Sequence, residues 1–403
     1  MKINEKCITE ILMRFCWKSN YADHEDCYFA RVNIWREVNL FPKEICETIL
    51  DKEEGDILKF DIEVDKLYPF EKNKIFKIDP RSHYRPPEKF AHLKLRLGRF
   101  YPLGFFKFLP GIYEGNPFPG RIIFEDKEKG TYILDANHPL CGYSVQLNIE
   151  ILKVYPKERE LGGRCKDWIE EAFRIGPGMQ VRYDQLPTDF GWNEPESFLR
   201  EDQTDDALFY KIPRFVSHID RLCHKHLVEY YSQILPKKGI VLDLMSSFES
   251  HLPDNNFEVI GLGINREELA ANPKLSNFLV KDLNKDPSLP FENNTFDAVI
   301  CDLSIEYVIK PFELLSEIRR ILKPKGIISF SFSNRYFPPK VIKLWIDLHE
   351  FERMGYVLEL LIKTGFKNLH TYSLRGFPRP VEDFWIKYTK FSDPLYVVWG
   401  QKF

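Results

Sequence analysis

Apolar positions change their rhythm about halfway along the chain. Between residues 24 and 155 they come as short runs, Tyr28–Ile34, Ile57–Val64, Ile122–Phe124 and Leu147–Val154, each bounded by Gly, Pro or Asp. Such runs predict strands, and hence a mainly-β module. From 156 to 236 the pattern is mixed, with a turn signal at Gly176-Pro177-Gly178 and an acidic stretch at Glu194–Asp206. Val216, Ile219, Leu222, Leu227 and Tyr230 recur at near-helical spacing and predict a helix over Phe215–Leu235.

After residue 237 strands and helices alternate. Gly239–Leu244, Val259–Leu262, Phe278–Val280, Ala298–Cys301 and Ile327–Phe332 are apolar runs between turn residues. The clearest helix is Phe312–Leu322, with Leu314, Leu315, Ile318, Ile321 and Leu322 on one face. This rhythm implies a doubly wound α/β domain with a parallel sheet buried on both faces. Strands near Asn368–Tyr372 and Leu395–Trp399 are close enough in sequence to form an antiparallel edge. The expected divisions are an N-terminal segment 1–23, a β module 24–155, a linker and helical segment 156–236, and the α/β domain 237–403.

Composition narrows the function classes. The chain has 403 residues, 44% hydrophobic and 29% charged, as in soluble globular proteins of two or three domains. A net charge of -3 argues against a large nucleic-acid surface. Glu10 and Arg14 interrupt the apolar N-terminus, so no signal peptide is expected, and no run reaches the ~18 apolar residues of a membrane span. Cys7, Cys16, Cys27, Cys46, Cys141, Cys165, Cys223 and Cys301 form no CxxC pair. Free thiols in a cytoplasmic protein are expected, with no zinc ribbon. His224 and His226 point apart on a helix, so no metal site is expected among His218, His224 and His226, and His251 reads as a packing residue.

Open α/β sheets bind ligands at the carboxyl ends of their strands. Those loops hold Asp243 to Glu249, Gly261 to Asn265, Lys281-Asp282-Leu283, and Asp302-Leu303-Ser304. The block Leu289-Pro290-Phe291…Phe296-Asp297-Ala298-Val299, followed by Leu322-Lys323-Pro324-Lys325-Gly326, resembles the class I S-adenosylmethionine-dependent methyltransferases over residues 237–403. More narrowly, it is similar to a methyltransferase-like subgroup with LDLMSS at 242–247 and FSNRYFP at 332–338.

The resemblance implies a Rossmann-like sheet of seven strands and S-adenosylmethionine as cofactor. Asp243 matches the acid ending the first strand, and Met245, Ser246 and Ser247 occupy the family's glycine-rich turn. Gly263 stands where an acid normally holds the ribose, with Asn265 or Glu267 as substitutes. Asp282 matches the acceptor for the adenine amino group, with Leu283 and Leu303 beside it. Glu306, Tyr307, Asn334, Arg335 and Tyr336 occupy substrate-side positions, Arg335 as a clamp for a carboxylate or phosphate. No general base is assigned, because methyl transfer depends first on positioning.

In the β module, Asn137-His138-Pro139-Leu140-Cys141-Gly142 feeding Val145–Val154, and the turn Glu53-Glu54-Gly55-Asp56, resemble SlyD-like FKBP-type prolyl isomerases. Residues 75–134 match that family's insert-in-flap module in position, which implies unfolded or proline-containing polypeptide as a partner. The apolar run Phe100 to Phe106 reads either as a peptide-binding surface or as the insert's core. Three functions are expected. The first is methyl transfer to a small molecule or protein, the second a non-catalytic binding or chaperone-type protein on a methyltransferase scaffold, and the third prolyl isomerisation.

Overall fold

The alternation of apolar and polar residues decides the first sheet. In the computed structural model, which describes residues 1–4, 6–33, 43–64, 66–158, 167–183 and 186–403, strand β1 (Cys7–Lys18) buries Cys7, Ile8 and Thr9 and then alternates, burying Ile11, Met13, Phe15 and Trp17. Glu10 and Arg14, which interrupt an apolar run, are simply the other face of that strand. The N-terminal segment is therefore the centre of a sheet and not an appendage. β1 pairs antiparallel with β2 (Ala22–Val32) and with β8 (Val145–Pro156), and β3 (Ile57–Ile62) closes the far edge of β8. Ile34, the expected end of the second strand, lies outside the described residues.

Four further strands form a separate sheet in the order β4 (Ile75–Ile78), β7 (Thr131–Asp135), β6 (Pro119–Asp126), β5 (Phe100–Pro102). Tyr101, Leu103, Phe105 and Phe106 pack with Ile78, Ile122 and Leu134 in its core. The apolar run 100–106 is thus core, and the surface reading fails because only Pro102 of that run is exposed. These sheets belong to a unit of Met1–Asp189 and Leu374–Phe377, in which Arg375 pairs with buried Asp26 at 2.8 Å. The Gly176-Pro177-Gly178 turn also lies in this unit, with Gly178 packed against Pro139.

The other unit, Phe190–Ser373 and Pro378–Phe403, carries the α/β pattern. Its strands are β9 (Lys238–Leu244), β10 (Asn256–Gly263), β11 (Asn277–Val280), β12 (Phe296–Asp302), β13 (Leu322–Phe332), β14 (Lys367–Arg375, whose last two residues fall in the first unit) and β15 (Leu395–Gln401). They lie in the order β11-β10-β9-β12-β13-β15-β14. β9 to β13 run parallel, and β15 lies antiparallel to β13, as the expected edge requires. Chain order reverses between β9 and β12, which makes a crevice at their carboxyl ends.

The helix expected from Phe215 begins later, at Arg221, and runs to Ile234. Asp220 stops it, because its carboxylate accepts the N–H groups of Leu222 and Cys223 at 2.9 and 3.0 Å. Phe215 and Val216 are exposed in the preceding loop. Cys7, Cys16, Cys27, Cys223 and Cys301 are free thiols, and Cys165 lies outside the described residues. Among the described residues, no helix is long and apolar enough to cross a membrane.

Candidate functional site

A cavity of about 130 Å³ opens at the carboxyl ends of β9, β10 and β12. Asp243, Met245, Ser246, Ser247, Gly263, Asp282, Leu283, Leu303 and Tyr307, all expected from sequence, line it. The turn after β9 keeps the conformation of a glycine turn without glycine. Met245 holds φ at 59°, and Leu303 after β12 holds 51°. Left-handed backbone at bulky residues is costly and persists only where the surroundings impose it. Here the Ser246 N–H is fixed to the Leu262 carbonyl at 2.9 Å, and the Leu303 N–H to the Ser331 carbonyl at 2.7 Å.

Asp243 is nearly fully buried and accepts hydroxyl hydrogen bonds from Ser246 (2.7 Å) and Ser250 (2.5 Å). Burial raises its pKa to about 6 despite those donors. Asp302, at the end of β12, accepts the Tyr231 and Ser331 hydroxyls at 2.5 Å each on one oxygen. Its other oxygen is buried with no partner among the described residues. Burial, and then the nearby Asp243 charge, push Asp302 up to about 7.

Several expected residues lie elsewhere. Asn265 is a helix cap, accepting the Glu267 and Glu268 N–H groups and donating to the Tyr210 carbonyl at 2.8 Å. Glu267 is exposed, and its neighbour Glu268 lines the cavity instead, accepting the Ser247 hydroxyl and the Arg214 main-chain N–H at 2.7 Å each. Glu306 is fully buried and off the cavity wall. Asn334 is exposed, Arg335 pairs with Asp393 at 3.1 Å, and the Arg353 guanidinium lies over the Tyr336 ring. The loop after β13 contributes Phe337, whose N–H donates to the Tyr307 hydroxyl at 2.8 Å.

Sequence reasoning missed the other wall. Asp206, Tyr210 and Arg214 come from a stretch with no periodicity to signal it, and His218 from the start of the segment expected to be helical. The Arg214 guanidinium lies over Phe209, Tyr210 and Phe337, and its Nη1 is buried without a partner among the described residues. The segment is anchored from below. Buried Lys340 reaches Asp206 at 3.2 Å and the Thr204 carbonyl at 2.6 Å, and Arg200 meets both oxygens of Asp206 at 2.8 Å. Asp282 caps the next turn through the N–H groups of Asn284 (2.9 Å) and Lys285 (3.2 Å). Burial, then His224 and His218, lowers His251 to about 3, so it is neutral.

With this geometry in place, comparison with known proteins gives one family and several distant relatives. Residues 245–330 match the family described as "Methyltransferase domain". A malonyl-[acyl-carrier protein] O-methyltransferase of Marinomonas sp. is 30% identical over 66 residues, 16% of this chain and 24% of that protein. A ubiquinone/menaquinone biosynthesis C-methyltransferase of Ruegeria sp. is 34% identical over 98 residues, 23% of this chain and 36% of that protein. The chain thus spans well under half the length of these curated relatives. A solved S-adenosylmethionine-dependent methyltransferase of Archaeoglobus fulgidus is 17% identical, covering 48% of this chain and 98% of its own, with a TM-score of 0.34. By sequence, the stretch from the turn after β9 to near the end of β13 is therefore similar to the methyltransferase domain.

Proposed function

We propose that the α/β unit binds S-adenosylmethionine in this cavity and transfers its methyl group to a small-molecule or protein acceptor. The observation that carries the reading is that Arg214 and Asp302 both line this cavity and each keeps one buried side-chain atom, Nη1 and Oδ2, without a partner among the described residues. Buried polar groups are normally paired, so one guanidinium nitrogen and one carboxylate oxygen left over on residues of the same cavity suit a zwitterionic ligand end. The amino-acid end of S-adenosylmethionine carries both charges. Glu268 takes the ribose role that position 263 leaves open, and Asp282 with Leu283 holds the adenine.

What these residues do is bind and orient. The apolar rings of Tyr210, Tyr307 and Phe337 exclude water from one side of the cavity. Transfer is a displacement at carbon, so alignment of acceptor and methyl group supplies much of the rate. Calorimetry with S-adenosylmethionine and S-adenosylhomocysteine tests the reading. One molecule per chain is expected, and no heat at about 1 mM ligand rejects it.

For the first unit we propose a SlyD-like role in holding a partner or the acceptor polypeptide. The Glu53–Asp56 turn supports it, with Gly55 at φ 90° and Asp56 accepting the Glu53 N–H at 2.9 Å. Slower aggregation of a model unfolded protein is expected, and an unchanged rate rejects that role. A proline-peptide assay at background rate separates holding from isomerisation.

A further inference from the structure

At the edge of the cavity, the chain brings together three side chains that no sequence spacing connects. His224 lies on the helix Arg221–Ile234, while Glu249 and His251 lie on the loop after β9. Their ligating atoms all fall within 4.8 Å of one another. The two imidazoles meet through their Nδ1 atoms at 2.8 Å, and His224 Nδ1 is 3.7 Å from Glu249 Oε1. We propose that His224, Glu249 and His251 bind a divalent transition-metal ion at the edge of the cavity.

The chemistry of the donors sets the class of ion. Two imidazoles and one carboxylate suit Zn²⁺, Fe²⁺, Co²⁺ or Mn²⁺ rather than Ca²⁺ or Mg²⁺, which prefer all-oxygen sites. A nitrogen spacing of 2.8 Å subtends roughly 90° at an ion about 2.0–2.1 Å from each atom. That is the angle between neighbouring ligands of a three-residue face, which leaves the remaining positions open. Glu249 must turn inward to complete the face, and its partly exposed side chain allows it. Ser217 donates its hydroxyl to Glu249 Oε2 at 2.8 Å, so the carboxylate already has the outer partner that orients metal-bound carboxylates.

Without an ion, one of two touching Nδ1 atoms must donate to the other, which fixes opposite tautomers on the two rings. With an ion, both lone pairs are used. Glu249 and His251 line the cavity, so open positions on the ion would face a ligand there.

The test uses the full chain, stripped with a chelator and titrated with Co²⁺ while visible absorption is recorded. One Co²⁺ per chain is expected, displaced by Zn²⁺. H224A should weaken binding at least tenfold, whereas H226A, on the same helix but outside the cluster, should leave it unchanged. Thermal unfolding in chelator checks that H224A folds, and E249Q gives a second route to the same loss. Absence of stoichiometric Co²⁺, or equal loss in H226A and H224A, overturns the site. Because metal is read directly, a failure of cofactor binding leaves this outcome unaffected.

Discussion

A Cβ at position 263 would lie 2.2 Å from the carbonyl oxygen of Ser246. The end of β10 and the turn after β9 are therefore in backbone contact, and no side chain fits between them. This explains why an acid cannot stand there and why Glu268, one turn further on, takes the place at the cavity. G263A should force a backbone shift and cost about 1–3 kcal/mol. Cofactor affinity should fall at least tenfold, since Ser246 and Ser247 move with the turn. G261A is the contrast. Its Cβ would meet the Leu275 side chain at 2.4 Å, and a methyl group can move aside. Thermal unfolding and calorimetry of both variants check the order. Equal losses would show that the Ser246 contact has no special weight.

Under the proposed function, Asp302 should set the pH dependence of cofactor binding. Held up at about 7, it is largely protonated at pH 6 and largely ionised at pH 8. An ammonium ligand requires the ionised form. Affinity should rise through pH 7, by about tenfold from pH 6 to pH 8. D302N removes the group that titrates. The ratio of wild-type to D302N affinity cancels the ligand's own titration and should rise with pH. A flat ratio between pH 6 and pH 8 would remove Asp302 from the ammonium site.

The strand ends were legible in the sequence, but the covering wall was not. Asp243, Gly263, Asp282 and Leu303 come directly after apolar runs or at their ends, and a parallel sheet gathers the loops beyond its strands into one crevice. Residues 206–214 carry no period, and Arg214 is placed by the buried ion cluster below the segment together with the Glu268 carboxylate and the Asn265 amide. Glu306 departs from its expected place because proximity to a strand end does not say which way a side chain turns. In the 3-10 turn Ile305–Tyr307, Tyr307 reaches the cavity while Glu306 is buried away from it. β1 is hidden in the sequence for a different reason. Glu10 and Arg14 read as breaks in a continuous apolar run, although a strand buried on one face can carry polar residues at every second position.

Lys340 tests how much the cover depends on that cluster. Its ammonium is fully buried, 3.2 Å from Asp206 and 3.3 Å from Asp202. Removing one member of a buried ion cluster leaves its partners uncompensated and costs about 3–5 kcal/mol. K340M keeps the volume and loses the charge, so Tm should drop on the order of 10 °C. Cofactor affinity should fall as well, because Asp206 and Arg214 share the segment that Lys340 anchors. An unchanged Tm would mean that Arg200 and Asn284 hold Asp206 without Lys340.

Glu306 gives a stability signature that separates it from the cavity acids. Burial lifts it from 4.5 to about 8, against smaller opposing effects of its own main-chain N–H and Arg353, and Oε2 has no partner among the described residues. The folded chain therefore keeps a proton that the unfolded chain releases above pH 4.5. Between pH 4.5 and 8 the native state binds more protons, so stability falls as pH rises through this window. The contribution is fully present below about 4.5 and gone above about 8. Glutamine fills the same space without a proton to lose. E306Q should unfold near the wild-type temperature at pH 4.5 and increasingly above it towards pH 8, where its stability advantage reaches on the order of a few kcal/mol. Asp243 and Asp302 titrate in both proteins, so the difference between the two melting curves reports Glu306 alone. A Tm difference that stays constant from pH 5 to pH 9 would mean that the Glu306 carboxyl is ionised in the folded protein.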